Sequence, residues 1–337
     1  MLKKIVTSLG LIGISTLALA GSPGNSVVLP TGTPLLAWGS TSFWSLGIEG
    51  LYVQSTAPQY QYAEINTNTD PNKISEQTVD SNYHAGVELD ATYHFAGNDR
   101  DATVSYMHVD MEDSSDSTIV GTETFNEPYG LLPARRDFVN EIKGETDQLY
   151  NAADFVFGQH LRVGQKLDIH PFGGIRYADL NDRDNSTYYN NPTESDTHTQ
   201  ATAQVSSHYE GLGPRVGVDM QFLLGQAFSI VGTIGGSLEV GYDNASLVTQ
   251  SGSDLPITTD LDKNWYVVPE LDAKLGLDYQ HCFNPTTSLD FQAGYQVVNY
   301  FDAIETDTYD ITTINSTVNQ QNFGFQGPYL RLQLNLA

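Results

Sequence analysis

The sequence predicts an all-β chain closed into an antiparallel transmembrane β-barrel of about ten strands, with short periplasmic turns and long extracellular loops. Three observations predict it. Apolar and polar residues alternate with a period of two along most of the chain. The alternating segments are long enough to bracket a bilayer, and the links between them are short and long in turn.

Residues 1–20 form a secretory signal pattern. Lys3 and Lys4 supply a cationic head, Ile5–Leu17 an apolar stretch, and Ala18-Leu19-Ala20 a small-residue cleavage site ahead of Gly21. The apolar stretch is shorter than the roughly 20 residues needed to span a bilayer as a helix. Residues 21–40 carry three prolines and few charges, and are expected to lie in the periplasm or to enter the barrel. The barrel itself is assigned to residues 41–337.

Within the barrel, Tyr83–Phe95 shows the pattern most clearly. Tyr83, Ala85, Val87, Leu89, Ala91, Tyr93 and Phe95 share one parity; His84, Gly86, Glu88, Asp90, Thr92 and His94 share the other. Successive strand residues point to opposite faces, so one face is apolar and the other polar. The design repeats in Leu212–Phe222, Phe228–Asp243, Trp265–Tyr279, Leu289–Val297 and Leu330–Leu336. It is weaker in Trp44–Val53, Thr103–Met111, Leu149–Phe157 and Leu167–Tyr177, and the faces of Thr103–Met111 are ambiguous.

Strand length separates a membrane barrel from a soluble sandwich. Trp265 and Tyr279 share a face fourteen positions apart, as do Phe228 and Tyr242. At about 3.3 Å per residue and about 40° of tilt, fourteen steps cover roughly 35 Å of the membrane normal, enough to bracket an apolar band about 25 Å tall. Sandwich strands are typically half as long. The links Ser55–Asn82, Glu112–Thr146, Leu180–Ser207, Ser246–Lys263 and Phe301–Asn322 are long and polar; Ala96–Asp101, Gly158–Gln165, Leu224–Ala227 and Gln280–Thr287 are short. Outer-membrane barrels carry this asymmetry, and an even strand count returns both barrel ends to the periplasm.

The barrel resembles a known family. Phe43-Trp44-Ser45, Gly211-Leu212-Gly213-Pro214-Arg215 and Gly324-Phe325-Gln326-Gly327-Pro328-Tyr329-Leu330-Arg331 are similar to segments of the Legionella-type major outer-membrane proteins, which are described as pore-forming. The resemblance implies a pore in the outer membrane and no catalytic residue set. The final strand also resembles the outer-membrane assembly signal, although it ends in Ala337 and not in an aromatic residue.

The interior is expected to be polar, because a charge facing lipid near the midplane costs a few kcal/mol. Parity turns Glu49, Glu88, Asp90, Asp154, Asp168, Asp219, Glu239, Glu270, Asp272 and Asp290 inward, accompanied by Arg176, Arg215, Lys274 and Arg331. These fourteen residues are the expected lumen lining. A narrow acidic pore for small solutes or cations follows from the carboxylate excess; a self-neutralising plug is the structural counterpart. A surface barrel whose long loops bind a host or surface partner is the alternative function.

With 41 Asp and Glu against 15 Lys and Arg, the chain repels nucleic acid. Outer-membrane lipid and lipopolysaccharide are the expected surroundings. Cys282 is the only cysteine, which excludes an internal disulfide. Homo-oligomerisation and an intermolecular disulfide through Cys282 stay open. There is no phosphate loop, nucleophile elbow or CxxC pair, so neither cofactor nor catalytic activity is expected. The eight histidines have no metal-ligand spacing, and no metal site is expected; His108 with Asp110 and His208 with Glu210 are the only crude acid–base pairs.

Overall fold

The computed structural model describes residues 41–66, 74–119, 124–126, 139–190, 199–225, 227–251, 255–260, 264–284, 286–310 and 315–336. Residues 1–40, and with them the signal pattern and the proline-containing segment, lie outside the described residues. Sixteen strands follow in order. They are β1 Phe43–Ser55, β2 Gln61–Asn66, β3 Ile74–Thr78, β4 Tyr83–His94, β5 Arg100–Thr118, β6 Thr124–Asn126, β7 Val139–Gln159 and β8 Leu161–Val163. The second half holds β9 Leu167–Asn190, β10 Thr199–Gly225, β11 Phe228–Asp243, β12 Ser246–Ser251, β13 Ile257–Asp260, β14 Asn264–Asn284, β15 Thr287–Asp310 and β16 Asn315–Leu336.

Ten of these strands make a ring of antiparallel pairs. β1 pairs with β4, and the order continues through β5, β7, β9, β10, β11, β14, β15 and β16. β16 then pairs with β1, in a register that sets Trp44 opposite Leu336 and Glu49 opposite Arg331. The remaining strands are appendages. β8 lies against the start of β9, β12 lies against the first part of β10 at Ala201–Ser206, and β13 pairs with β12. β3, β2 and β6 form a small separate sheet.

The period-two pattern explains which way each ring strand faces. On β14, Trp265, Val267, Leu271, Leu275, Leu277 and Tyr279 are exposed while Val268, Glu270, Asp272 and Asp278 are buried. On β1, Trp44, Leu46, Ile48 and Tyr52 are exposed while Ser45, Glu49, Leu51 and Val53 are buried. An apolar exterior this continuous requires an apolar surrounding medium. Aromatic pairs border it at both ends: Tyr242 with Trp265 at 5.6 Å, and Phe228 with Tyr279 at 5.0 Å.

The strands run further than the alternation predicted. Stretches expected as loops are largely ladder: β5 reaches Thr118, β7 begins at Val139, β9 reaches Asn190, β10 begins at Thr199, and β15 and β16 extend to Asp310 and from Asn315. The physical reason is a change in what each parity faces. Beyond the exposed apolar band the outward residues become polar, while inward ones such as Ile142, Tyr188, Ala203 and Val205 stay buried. The ambiguity of Thr103–Met111 has the same origin. Val104 and Tyr106 face outward from the band, and Met107, Val109 and Met111 face an apolar part of the interior just above it.

Candidate functional site

The ring interior is stratified. From the short-turn end toward the long links it holds histidines with carboxylates, then a charged network, then an apolar layer, then a polar layer under the β2–β3 hairpin.

The charged network has two centres. In one, Arg176 grips Asp154 through both fork positions, Nε to Oδ1 at 2.7 Å and Nη2 to Oδ2 at 2.6 Å, and donates from Nη1 to Glu270 Oε1 at 2.7 Å. Arg215 lies 2.6 Å from Asp272 and 3.2 Å from both Asp154 and Glu270. Ser237 donates to Glu239 at 2.8 Å and to Glu270 at 3.0 Å. In the other, Lys274 Nζ donates to Glu49 at 2.7 Å and to Glu88 at 2.6 Å, and Arg331 spans Asp90 with contacts of 2.7 and 2.9 Å. Arg176 with Glu270, Arg215 with Asp272, Lys274 with Glu49 and Glu88, and Arg331 with Asp90 join strands that are not neighbours in the ring, so the network crosses the interior. Bidentate, charge-assisted bonds offset part of the cost of removing the charges from water.

The other predicted lining residues, Asp168, Asp219 and Asp290, also lie on the inward parity, toward the short-turn end. Asp168 contacts His160 and Asp219 contacts His170, each at 2.9 Å, and Asp290 accepts from Asn335 Nδ2 at 2.8 Å. Sequence reasoning missed the groups that join them. Asp101 ends one short link of the alternation pattern and His160 lies in another; only strand register brings them beside His94 and His170.

Above the network the interior is apolar. Tyr150 on β7 packs on Tyr300, Phe323 and Phe325 of β15 and β16, with ring centroids 5.9, 6.2 and 5.0 Å away. All four side chains are fully buried. A bulge between Tyr300 and Ile304, where Asp302 adopts φ 53°, turns β15 inward. The Glu305 amide then reaches Ser207 and Asp243 at 3.2 Å across the ring.

The link after β1 packs against the inner face at the far end. Tyr62 on β2 packs with Ile142, Tyr188 and Ala201, and its hydroxyl shares a hydrogen bond of 2.7 Å with Ser117. Gly144 makes that seat possible, because a Cβ there would overlap the Tyr62 ring. Beneath it, Asp182 and Asp184 are buried. Burial pushes the Asp182 carboxyl up to about 6, opposed by the Gln148 hydrogen bond of 2.8 Å and reinforced by the Asp147 and Asp243 charges. Burial and the charge of Asp182 push Asp184 well above the usual carboxylate range.

Cys282 is half-buried, on the inward parity near the end of β14. His108 donates from Nδ1 to the Asn151 Oδ1 at 2.8 Å; His208 contacts Asp179 at 2.9 Å, with Glu210 at 3.9 Å.

Comparison with known proteins gives a family and a set of similar folds. The family model described as Legionella pneumophila major outer membrane protein precursor matches residues 39–336. No curated protein matches the chain. The outer membrane protease OmpT from Escherichia coli is similar over 92% of this chain and 99% of its own, at 10% identity and a TM-score of 0.47. A TodX mutant, titled a monoaromatic hydrocarbon channel, is similar over 88% and 90% at 7% identity and a TM-score of 0.31. A Pseudomonas aeruginosa FadL homologue is similar over 88% and 90% at 8% identity and a TM-score of 0.27. The expectation that this chain is not an enzyme is corrected here: a protease stands among the similar structures beside channels, and enzyme status is not established.

Proposed function

The chain belongs to the Legionella pneumophila major outer membrane protein family, and on that premise we propose a pore-forming outer-membrane barrel for small solutes or cations, held closed in the conformation described. The ring is a closed transmembrane barrel, inserted after loss of residues 1–20. Its short turns face the periplasm, its long links face outward, and its exterior lies in outer-membrane lipid and lipopolysaccharide.

One observation carries this reading. At mid-height the interior holds seven carboxylates (Glu49, Glu88, Asp90, Asp154, Glu239, Glu270, Asp272) against the four cations Arg176, Arg215, Lys274 and Arg331. A plug selected for stability alone is better built from apolar side chains, which fill the same volume without desolvating charge. Ionisable residues at membrane depth mark ion and solute paths, and an excess of acid favours cations. The Tyr150–Tyr300–Phe323–Phe325 layer is the constriction that must part for conduction.

Planar-bilayer recording of the refolded chain tests this. The wild type is expected to show brief, low-conductance, cation-preferring openings. Tyr300→Ala with Phe323→Ala is expected to lengthen them, and Glu270→Gln with Asp272→Asn to reduce the cation preference. Silence from both the wild type and the widened variant would reject the pore and leave a surface scaffold.

A further inference from the structure

We propose that His94, Asp101 and His160 form a site for one divalent transition-metal ion of the zinc class, inside the ring at its short-turn end.

The backbone holds the three positions together. His94, the last residue of β4, is the direct ladder partner of Asp101 at the start of β5. Asp101 belongs in turn to the β5–β7 ladder, opposite Gly158. His160 follows in the link to β8, tied by its amide to the Asp99 carbonyl at 2.7 Å. One ligand atom from each of the three side chains lies within 4.8 Å of the others. The His160 Nε2 to Asp101 Oδ2 separation is 3.4 Å, close to the roughly 3.3 Å edge of a tetrahedron with bonds of about 2.0–2.1 Å.

Second contacts orient each ring. His160 is held through Nδ1 by Asp168 at 2.9 Å, which sets Nε2 toward Asp101. His94 is held through Nε2 by Ser45 at 3.0 Å and stacked on Phe43 at 4.0 Å. Metal-binding histidines carry such a partner on the other nitrogen, most often a carboxylate or carbonyl, fixing tautomer and direction. His170 completes the surround, bridging Asp101 and Asp219 at 2.9 Å each and stacking on His160 at 4.2 Å. Gly158 leaves room for it, since a Cβ there would overlap the His170 ring.

The second, independent sign of a ligand is an orphaned atom. Asp101 is 1% exposed, yet among the described residues its Oδ1 has no hydrogen-bond partner. A buried carboxylate oxygen left so is costly, and a cation beside it removes the cost. Two imidazoles and one carboxylate suit zinc and its neighbours, whereas calcium selects six to eight oxygens. Three protein ligands leave a fourth position for water or an exchangeable solute.

The test uses the full chain refolded in detergent, stripped with a chelator and titrated with Zn2+ against a chromogenic competitor. Folding of each variant is checked by its heat-modifiable gel mobility. The wild type is expected to hold one Zn2+ per chain and to bind no Ca2+ in its place. His160→Gln and Asp101→Asn should each weaken Zn2+ binding by more than about tenfold, Asp168→Asn by roughly tenfold, and His281→Gln not at all. If Asp101→Asn does not fold, His160→Gln decides alone, since its side chain leaves the ladders intact. Co2+ should give an absorption spectrum of imidazole ligation in the wild type that His160→Gln loses. Less than one ion per chain, equal Ca2+ binding, or unaltered affinity in His160→Gln would overturn the site and leave a proton-bridged histidine cluster.

Discussion

Lys274 and Glu49 are 225 positions apart in sequence, on ring strands that do not pair, yet Nζ donates to Oε1 at 2.7 Å. Glu88 receives the same ammonium at 2.6 Å. One cation therefore fastens three strands across the interior. Removing it leaves two buried carboxylates sharing only Arg331. Lys274→Met should cost about 3–5 kcal/mol of unfolding free energy, read from urea titration of the refolded chain followed by tryptophan fluorescence. Adding Glu49→Gln and Glu88→Gln should recover most of the loss. A neutral Lys274→Met would show that the pairing contributes nothing.

Arg176 tests geometry in place of charge. Its planar fork meets Asp154 with two parallel bonds, which a lysine ammonium cannot reproduce. Arg176→Lys keeps the charge and should still lower stability by about 2 kcal/mol, the scale of one charged hydrogen bond. The same titration reports it, and an unshifted midpoint would contradict the bidentate arrangement.

Lipid exposure should depend on depth. Leu271 sits halfway along the outward face of β14, and Leu336 ends β16 beside the rim residue Trp44. Leu271→Arg should cost about 2–4 kcal/mol when folding is measured into lipid vesicles, and Leu336→Arg about 0–1 kcal/mol. Equal costs at the two sites would contradict an apolar band centred near Leu271.

Acidity should tighten the long-link end. Folded Asp182 holds its proton up to about pH 6, while the unfolded carboxyl releases it near 3.8. Between those values the folded state binds the extra proton, so stability falls as pH rises through the window and levels off above it. Asp184 shifts in the same direction. Amide exchange in β7 and β9 near Ile142 and Tyr188, corrected for intrinsic rate, should be roughly tenfold slower at pH 5 than at pH 7. Asp182→Asn with Asp184→Asn should remove most of that difference; faster exchange at pH 5 in the wild type would reverse the assignment.

Parity made much of this molecule legible. In Tyr83–Phe95 each residue has one neighbour set, lipid-like or polar, and alternation reads it directly. Where the interior turns apolar, as at Met107, Val109 and Met111, both parities carry similar residues and hydropathy loses its contrast. The same loss hid the outer halves of β7, β9 and β10. The histidine cluster was illegible for another reason. His94, Asp101, His160 and His170 occupy separate strands and a link, with no local spacing, and only pairing register joins them. Register depends on the whole ring, which no window of sequence contains.

The pairing of Trp44 with Leu336 makes the first and last ring strands a single seam. No partial chain can close it: a ribosome must have finished β16 before β1 gains its second neighbour. Until then two strand edges stay open with their peptide groups unpaired, so pairing of the ring waits on its last strand.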